Sequence, residues 1–125
     1  MVNASELESI RKAASSCTYC GACQAVCPVF DKVGAEAACS RGRLLQLRLM
    51  AEGVIDPNAS LAESITRCAL CKACEATCSS NIHTTELFML IPSSLGAAPT
   101  GRHYCLQLLG LGAALYHRII FVAPV

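Results

Sequence analysis

The chain has 125 residues, of which 54% are hydrophobic and 15% charged, with a formal net charge of +1. That length suits one domain rather than two, and the composition excludes a disordered chain. The lack of a Lys/Arg stripe excludes a nucleic-acid footprint. Ten residues are cysteine, which leaves three classes to choose among: disulfide scaffold, zinc module or iron–sulfur protein.

In chain order, Met1-Val2-Asn3-Ala4-Ser5-Glu6-Leu7-Glu8 is polar and acidic, with no basic start followed by an apolar stretch. The expected location is the cytoplasm, where thiols stay reduced and open to ligation, so disulfides drop out. Ser5 and Glu8 have capping-box spacing, and the helix they open puts Leu7, Ile10 and Ala14 on one face. A loop from Ser16 to about Phe30 holds the first cysteine run. Ser40 is placed to cap a second helix, Arg41 to about Glu52, that Gly53 ends. After the turn Asp56-Pro57-Asn58, Ser60 and Glu63 repeat the capping-box spacing at a short third helix leading into the second run. Thr85 to Ile91 reads as a further helix that Pro92 should break.

A small-residue linker over 93–102 precedes an apolar helix over 103–125. The charge-free stretch of that helix, Tyr104 to Tyr116, stops at His117-Arg118, short of the roughly 18 apolar residues a membrane span needs. A packing or partner-docking helix is expected instead, with membrane association peripheral at most, at the inner face of the cytoplasmic membrane. So apolar a helix so near the chain's end points to a partner or to missing sequence. No alternating run suggests a strand, so the expected fold is all-α, with the first domain over 1–92.

Cys17-Thr18-Tyr19-Cys20-Gly21-Ala22-Cys23-Gln24-Ala25-Val26-Cys27-Pro28 reads C-x2-C-x2-C-x3-C-P. Cys68-Ala69-Leu70-Cys71-Lys72-Ala73-Cys74-Glu75-Ala76-Thr77-Cys78-Ser79 repeats the spacing with Ser79 in place of the proline. This is the run of bacterial ferredoxins, in which three cysteines wrap one [4Fe–4S] cluster and the fourth ligates the other. Two clusters are therefore expected, one on Cys17, Cys20, Cys23 and Cys78, the other on Cys68, Cys71, Cys74 and Cys27. The fourth cysteine should start a helix heading away, and the crossing should tie the two runs together, leaving the cluster-free chain largely unfolded. Zinc is the rival, but structural zinc sites pair two C-x2-C knuckles, and a doubled four-cysteine run offers no such pairing. Cys39 and Cys105 stand outside the runs and read as small buried side chains.

The spacer between the runs holds a helix, which resembles the helical ferredoxin type of respiratory and flavoprotein complexes. Cys39-Ser40-Arg41-Gly42-Arg43-Leu44-Leu45 and the approach from Leu61 through Arg67-Cys68 resemble the glycolate oxidase iron–sulfur subunit and lactate-utilisation family, a relative of heterodisulfide reductases. The resemblance covers roughly residues 15 to 90. It implies two [4Fe–4S] clusters, an FAD-containing flavoprotein partner, a cysteine-rich catalytic or quinone-linked subunit, and electron transfer during oxidation of a 2-hydroxy acid such as glycolate or D-lactate. The family usually has proline where this chain has Ser79, and it continues into a longer cysteine-rich region, so a fragment is expected here. The alternatives are a subunit of a heterodisulfide reductase-like or glycerol-3-phosphate dehydrogenase-like complex, or a free ferredoxin-like carrier.

Arg41 reads either as a cation beside a cluster, raising its potential, or, with Arg43, as a solvated first helical turn opposed to the dipole. His83 reads as an ordinary loop histidine, since eight thiolates already fill two clusters. No dinucleotide turn, phosphate loop or nucleophile–base pair occurs, so no substrate-converting residues are expected in this chain.

Overall fold

Asn3 starts the first helix by accepting the Glu6 N–H while the Glu6 carboxylate accepts the Asn3 N–H, a reciprocal pair that satisfies two otherwise orphaned donors. The computed structural model describes residues 3–95. Within them α1 spans Ala4–Ser16, α2 Ala22–Ala25, α3 Pro28–Val33, α4 Ser40–Ala51, α5 Ala59–Thr66, α6 Ala73–Ala76 and α7 Thr84–Ser94, with a 3₁₀ turn at Glu36–Ala38 before α4. The described residues hold no strand, and the fold is all-α. No helix among them is long and apolar enough to cross a membrane. The apolar helix expected over 103–125, and all of the linker beyond Leu95, lie outside the described residues.

The caps correct the sequence reading. Asn3 rather than Ser5 caps α1, and Asn58 rather than Ser60 caps α5 by accepting the Leu61 N–H at 2.9 Å. In both cases an asparagine stood just upstream of the Ser/Glu spacing, and its carbonyl oxygen is as good an acceptor. Ser40 lies inside α4, whose N-cap is Cys39 with no side-chain cap. Pro92 does not break the last helix, which runs on to Ser94 and is closed by the Leu95 N–H on the Ile91 carbonyl at 3.1 Å. So near a helix end, a missing N–H forfeits one bond and leaves the turn intact.

The four longer helices form a ring in which α1 packs on α4, α4 on α5, α5 on α7 and α7 on α1. Ile10 from α1, Leu47, Met50 and Ala51 from α4, Leu61 and Ile65 from α5, and Phe88 and Ile91 from α7 form the core, with Leu7 against it. Each large apolar side chain buried there contributes about 1.5–3 kcal/mol. A smaller cluster of Ala14, Leu44 and Ile82 packs directly on Cys17 and Cys78, so the core runs into the cysteine loops. α1 and α5 end just before Cys17 and Cys68, while α4 and α7 begin on the far side of the runs. Both runs therefore gather where two helices finish and two others start.

Candidate metal centre

The two cysteine loops have one backbone path. Tyr19 and Leu70, each just before the second cysteine, have φ of 55° and 52°, and Gly21 and Lys72, just after it, have φ of 86° and 60°. Each loop then closes into a single helical turn, Ala22–Ala25 or Ala73–Ala76, and these two turns pack on each other. A left-handed residue costs a side chain about 1–2 kcal/mol, and three of these four are not glycine. Such steps turn backbone N–H groups inward into a concavity suited to anions and iron–sulfur groups. Accordingly the Ala22 N–H reaches the Cys20 thiol and the Leu70 N–H lies 3.4 Å from the Cys68 sulfur.

Cys17, Cys20 and Cys23 line one pocket, and the fourth thiol in its wall is Cys78 of the other run; Tyr19, Gly21 and Arg41 complete the near side. The second set gathers less directly. Cys68, Cys71 and Cys74 lie within electrostatic reach of one another. Cys27 lies 3.7 Å from the Ala38 carbonyl oxygen, which also accepts from Arg43 Nη1. The Arg43 Nε donates to the Ser64 carbonyl, one turn before Cys68, and the Arg43 charge holds the Cys68 thiol down against its burial. No three His, Cys, Asp or Glu side chains among the described residues close on one point as ligands of a single ion do.

The thiols differ in setting. Burial pushes Cys68 up to about 11 and also raises Cys23 and Cys74. The exposed Cys20 is lowered, first by the Ala22 N–H and then by the Thr18 hydroxyl. Thiolates are the ligating form, so cluster loading must drive protons off the buried thiols.

The first turn of α4 addresses both runs. The Arg41 N–H and the Ser40 hydroxyl oppose the burial that raises the thiols they face, Cys23 and Cys74. With no side chain capping it, the positive end of this helix faces sulfur. Gly42 makes the approach possible, since a Cβ there would fall 2.1 Å from the Glu36 carbonyl oxygen. Arg41 reaches over the first loop, donating to the Tyr19 carbonyl and the Gln24 Oε1, both at 3.1 Å, and pairing with Glu36 at 2.8 Å. Its Nε is buried without a partner. Arg41 is thus a pocket residue and not part of a solvated turn.

Arg43 departs from the sequence reading, because it is only 1% exposed and donates through Nε to the Ser64 carbonyl at 2.9 Å. Cys39 is wholly buried, with its sulfur 3.1 Å from the Glu36 carbonyl oxygen, as expected of a small core residue. Cys105 lies outside the described residues. His83 is an exposed loop residue whose Nδ1 stands 3.9 Å from Glu75. Nor does the fourth cysteine start a helix in both runs: Cys27 caps α3, but Cys78 enters a turn. Sequence reasoning missed Glu75, whose Oε1 accepts the Thr85 N–H at 2.7 Å and the Thr85 hydroxyl at 2.6 Å, fastening the second loop to α7. The available signal was positional, for Gln24 and Glu75 each follow the third cysteine of a run.

Residues 13–82, more than half of the chain, match the family model of the 4Fe-4S dicluster domain. The chain is 33% identical over 73 residues to a protein of Bacillus subtilis (strain 168) described as a probable glycolate oxidase iron-sulfur subunit; the match covers 58% of this chain and 16% of that protein. It is 35% identical over 82 residues to the glycolate oxidase iron-sulfur subunit of Escherichia coli (strain K12), covering 66% of this chain and 19% of that one. The chain thus spans less than a fifth of the length of the curated relatives it matches. No solved structure matches it.

Proposed function

The chain belongs to the 4Fe-4S dicluster domain family, and on that premise we propose that it carries two [4Fe–4S] clusters and relays single electrons from a flavoprotein subunit to a downstream acceptor. The observation that carries this reading is the pocket walled by Cys17, Cys20, Cys23 and Cys78, three thiols of one run and the fourth of the other. The donor chemistry suits iron–sulfur ligation, and the crossing is that of two-cluster ferredoxins. Cys68, Cys71, Cys74 and Cys27 would hold the second cluster; the Arg43 bonds to the Ala38 carbonyl, which Cys27 also contacts, and to the Ser64 carbonyl before Cys68 support this.

Bound clusters supply one-electron carriers, which a flavin holding an electron pair needs if it is to pass electrons on singly. The protein's own share is to hold and bias them. The left-handed steps at Tyr19, Gly21, Leu70 and Lys72 set the thiols around their sites, and the Ala14, Leu44 and Ile82 cluster keeps water from the inner side. Cys20 lies at the exposed face, the natural side for electron exchange with a partner. The glycolate oxidase subunits that the chain resembles favour a complex oxidising a 2-hydroxy acid such as glycolate; within this proposal a separate FAD-containing subunit accepts the hydride, and the site of action is the cytoplasm.

Anaerobic purification, with iron and sulfide counting and EPR of the reduced sample, tests this. About eight irons and eight sulfides per chain, with interacting signals from two reduced clusters, are expected. Zinc without iron, or a single cluster, would sink the relay.

A further inference from the structure

Arg43 is the largest side chain buried in the described fold, and among the described residues no carboxylate pairs with it. Its partners are two main-chain carbonyls, Ala38 on the side of Cys27 and Ser64 one turn before Cys68. Carbonyl dipoles solvate a guanidinium, but they do not neutralise it, and a buried cation without a counter-charge is strongly unfavourable. A side chain that is always charged is therefore held in the interior on the Ala38 carbonyl that the Cys27 sulfur also contacts, and on the Ser64 carbonyl one turn before Cys68. Arg41, two residues away, stands in contrast, for it is partly exposed and already paired with Glu36.

We propose that Arg43 is the fixed counter-charge of the cluster held by Cys68, Cys71, Cys74 and Cys27, a positioning residue that raises its reduction potential against the burial of that site. This rests on the two-cluster reading above. The physical sense follows from charge alone. Reduction adds one electron to a group that is already anionic with its thiolates. Burial disfavours that added charge, and a fixed cation nearby favours it. The same attraction supplies the anion that the buried guanidinium lacks. Arg43 thus ties that site to the 3₁₀ turn at Glu36–Ala38 and to α5, whose carbonyls hold it.

The test is a potentiometric EPR titration of the full chain, reconstituted anaerobically, as wild type, Arg43→Met and Arg43→Lys. The second-run signal is identified as the one that survives Cys78→Ala. Expected is a negative shift of that midpoint alone in Arg43→Met, with Arg43→Lys staying near wild type because the charge is kept. If Arg43→Met fails to load while Arg43→Lys loads at the wild-type potential, the charge requirement stands. The proposal is overturned if Arg43→Met leaves both midpoints in place. It is equally overturned if Met and Lys shift the midpoint alike, or if neither loads, since the fork to the two carbonyls would then be what matters. Iron counts on the wild type are read first, and a chain without two clusters would overturn the underlying reading together with this one.

Discussion

At Tyr19 and Gly21 the first cysteine loop takes the same left-handed steps that the second takes at Leu70 and Lys72, and each closes into a single helical turn, yet beyond the fourth cysteine the two part. After Cys27, Pro28 occupies the first helical position and the Cys27 sulfur accepts the Phe30 N–H at 3.4 Å, so α3 begins at once. After Cys78, Ser79 enters a turn closed by the Asn81 N–H on the Cys78 carbonyl at 3.1 Å, and the next helix waits until Thr84. The loop path follows from ligand spacing and is therefore shared. The exit follows from the one or two residues behind the last ligand. Those exits set what surrounds each site: α3 and the 3₁₀ turn bring the Glu36 and Ala38 groups that engage Arg41 and Arg43, whereas the second exit leads straight to α7 and its Glu75 tether.

The sharpest way to break this comparison is to mix the ligands. In the crossed scheme Cys17→Ala with Cys78→Ala strips a single site, and iron should fall from about eight to about four per chain. Uncrossed runs would lose both sites, and an iron count near zero in the double variant would end the crossing.

Next in size is Gly42→Ala, which drives a Cβ into the Glu36 carbonyl and so pushes the α4 N-terminus off the first-run exit. A loss of about 1–3 kcal/mol is expected, as for other overpacking changes. It would be read as a lower guanidinium midpoint of the loaded chain, and an unchanged midpoint would mean that the turn moves aside freely.

A smaller pair of effects should follow from exchanging the one loop position at which the runs differ in glycine. Gly21→Ala should destabilise and Lys72→Gly stabilise, each by about 1 kcal/mol, because both sites have positive φ and only one now carries a side chain. Thermal melts of the two loaded variants should move in opposite directions, and melts moving together would contradict the shared path.

The smallest expected change is Ser79→Pro. It gives the second run the residue of the first at the second position of a turn, where proline is favoured, and should stabilise by about 0.4–1 kcal/mol through the unfolded chain. A destabilised melt would show that the Cys78 exit needs the freedom that serine leaves.

Much of the architecture was legible because it rests on local periodicity. The face of Leu7, Ile10 and Ala14 packs as the spacing required. Two caps were misread by the choice between neighbouring acceptors, Asn3 over Ser5 and Asn58 over Ser60, and the third because α4 has no side-chain cap and takes Ser40 into its first turn. Arg43 was not legible. A charge in the first turn of a helix reads as solvated, and its burial depends on α5 and the 3₁₀ turn meeting over it from distant parts of the chain. Glu75 was missed for the same reason, since its partner Thr85 lies on another helix.

By itself the sequence determined the class of chemistry and the eight thiols proposed to carry it, because the doubled C-x2-C-x2-C-x3-C spacing is a local constraint that few other sites satisfy. It also determined the all-α composition, through helical periodicity and the want of alternation. Only the tertiary structure decided that Cys78 lines the pocket of the first run, that the α4 N-terminus faces a sulfur of each run, and that Arg41 is paired with Glu36 and partly exposed while Arg43 is buried on two main-chain carbonyls with no carboxylate partner among the described residues. Such relations join residues far apart in the chain, and they are fixed by which helices pack rather than by any local preference.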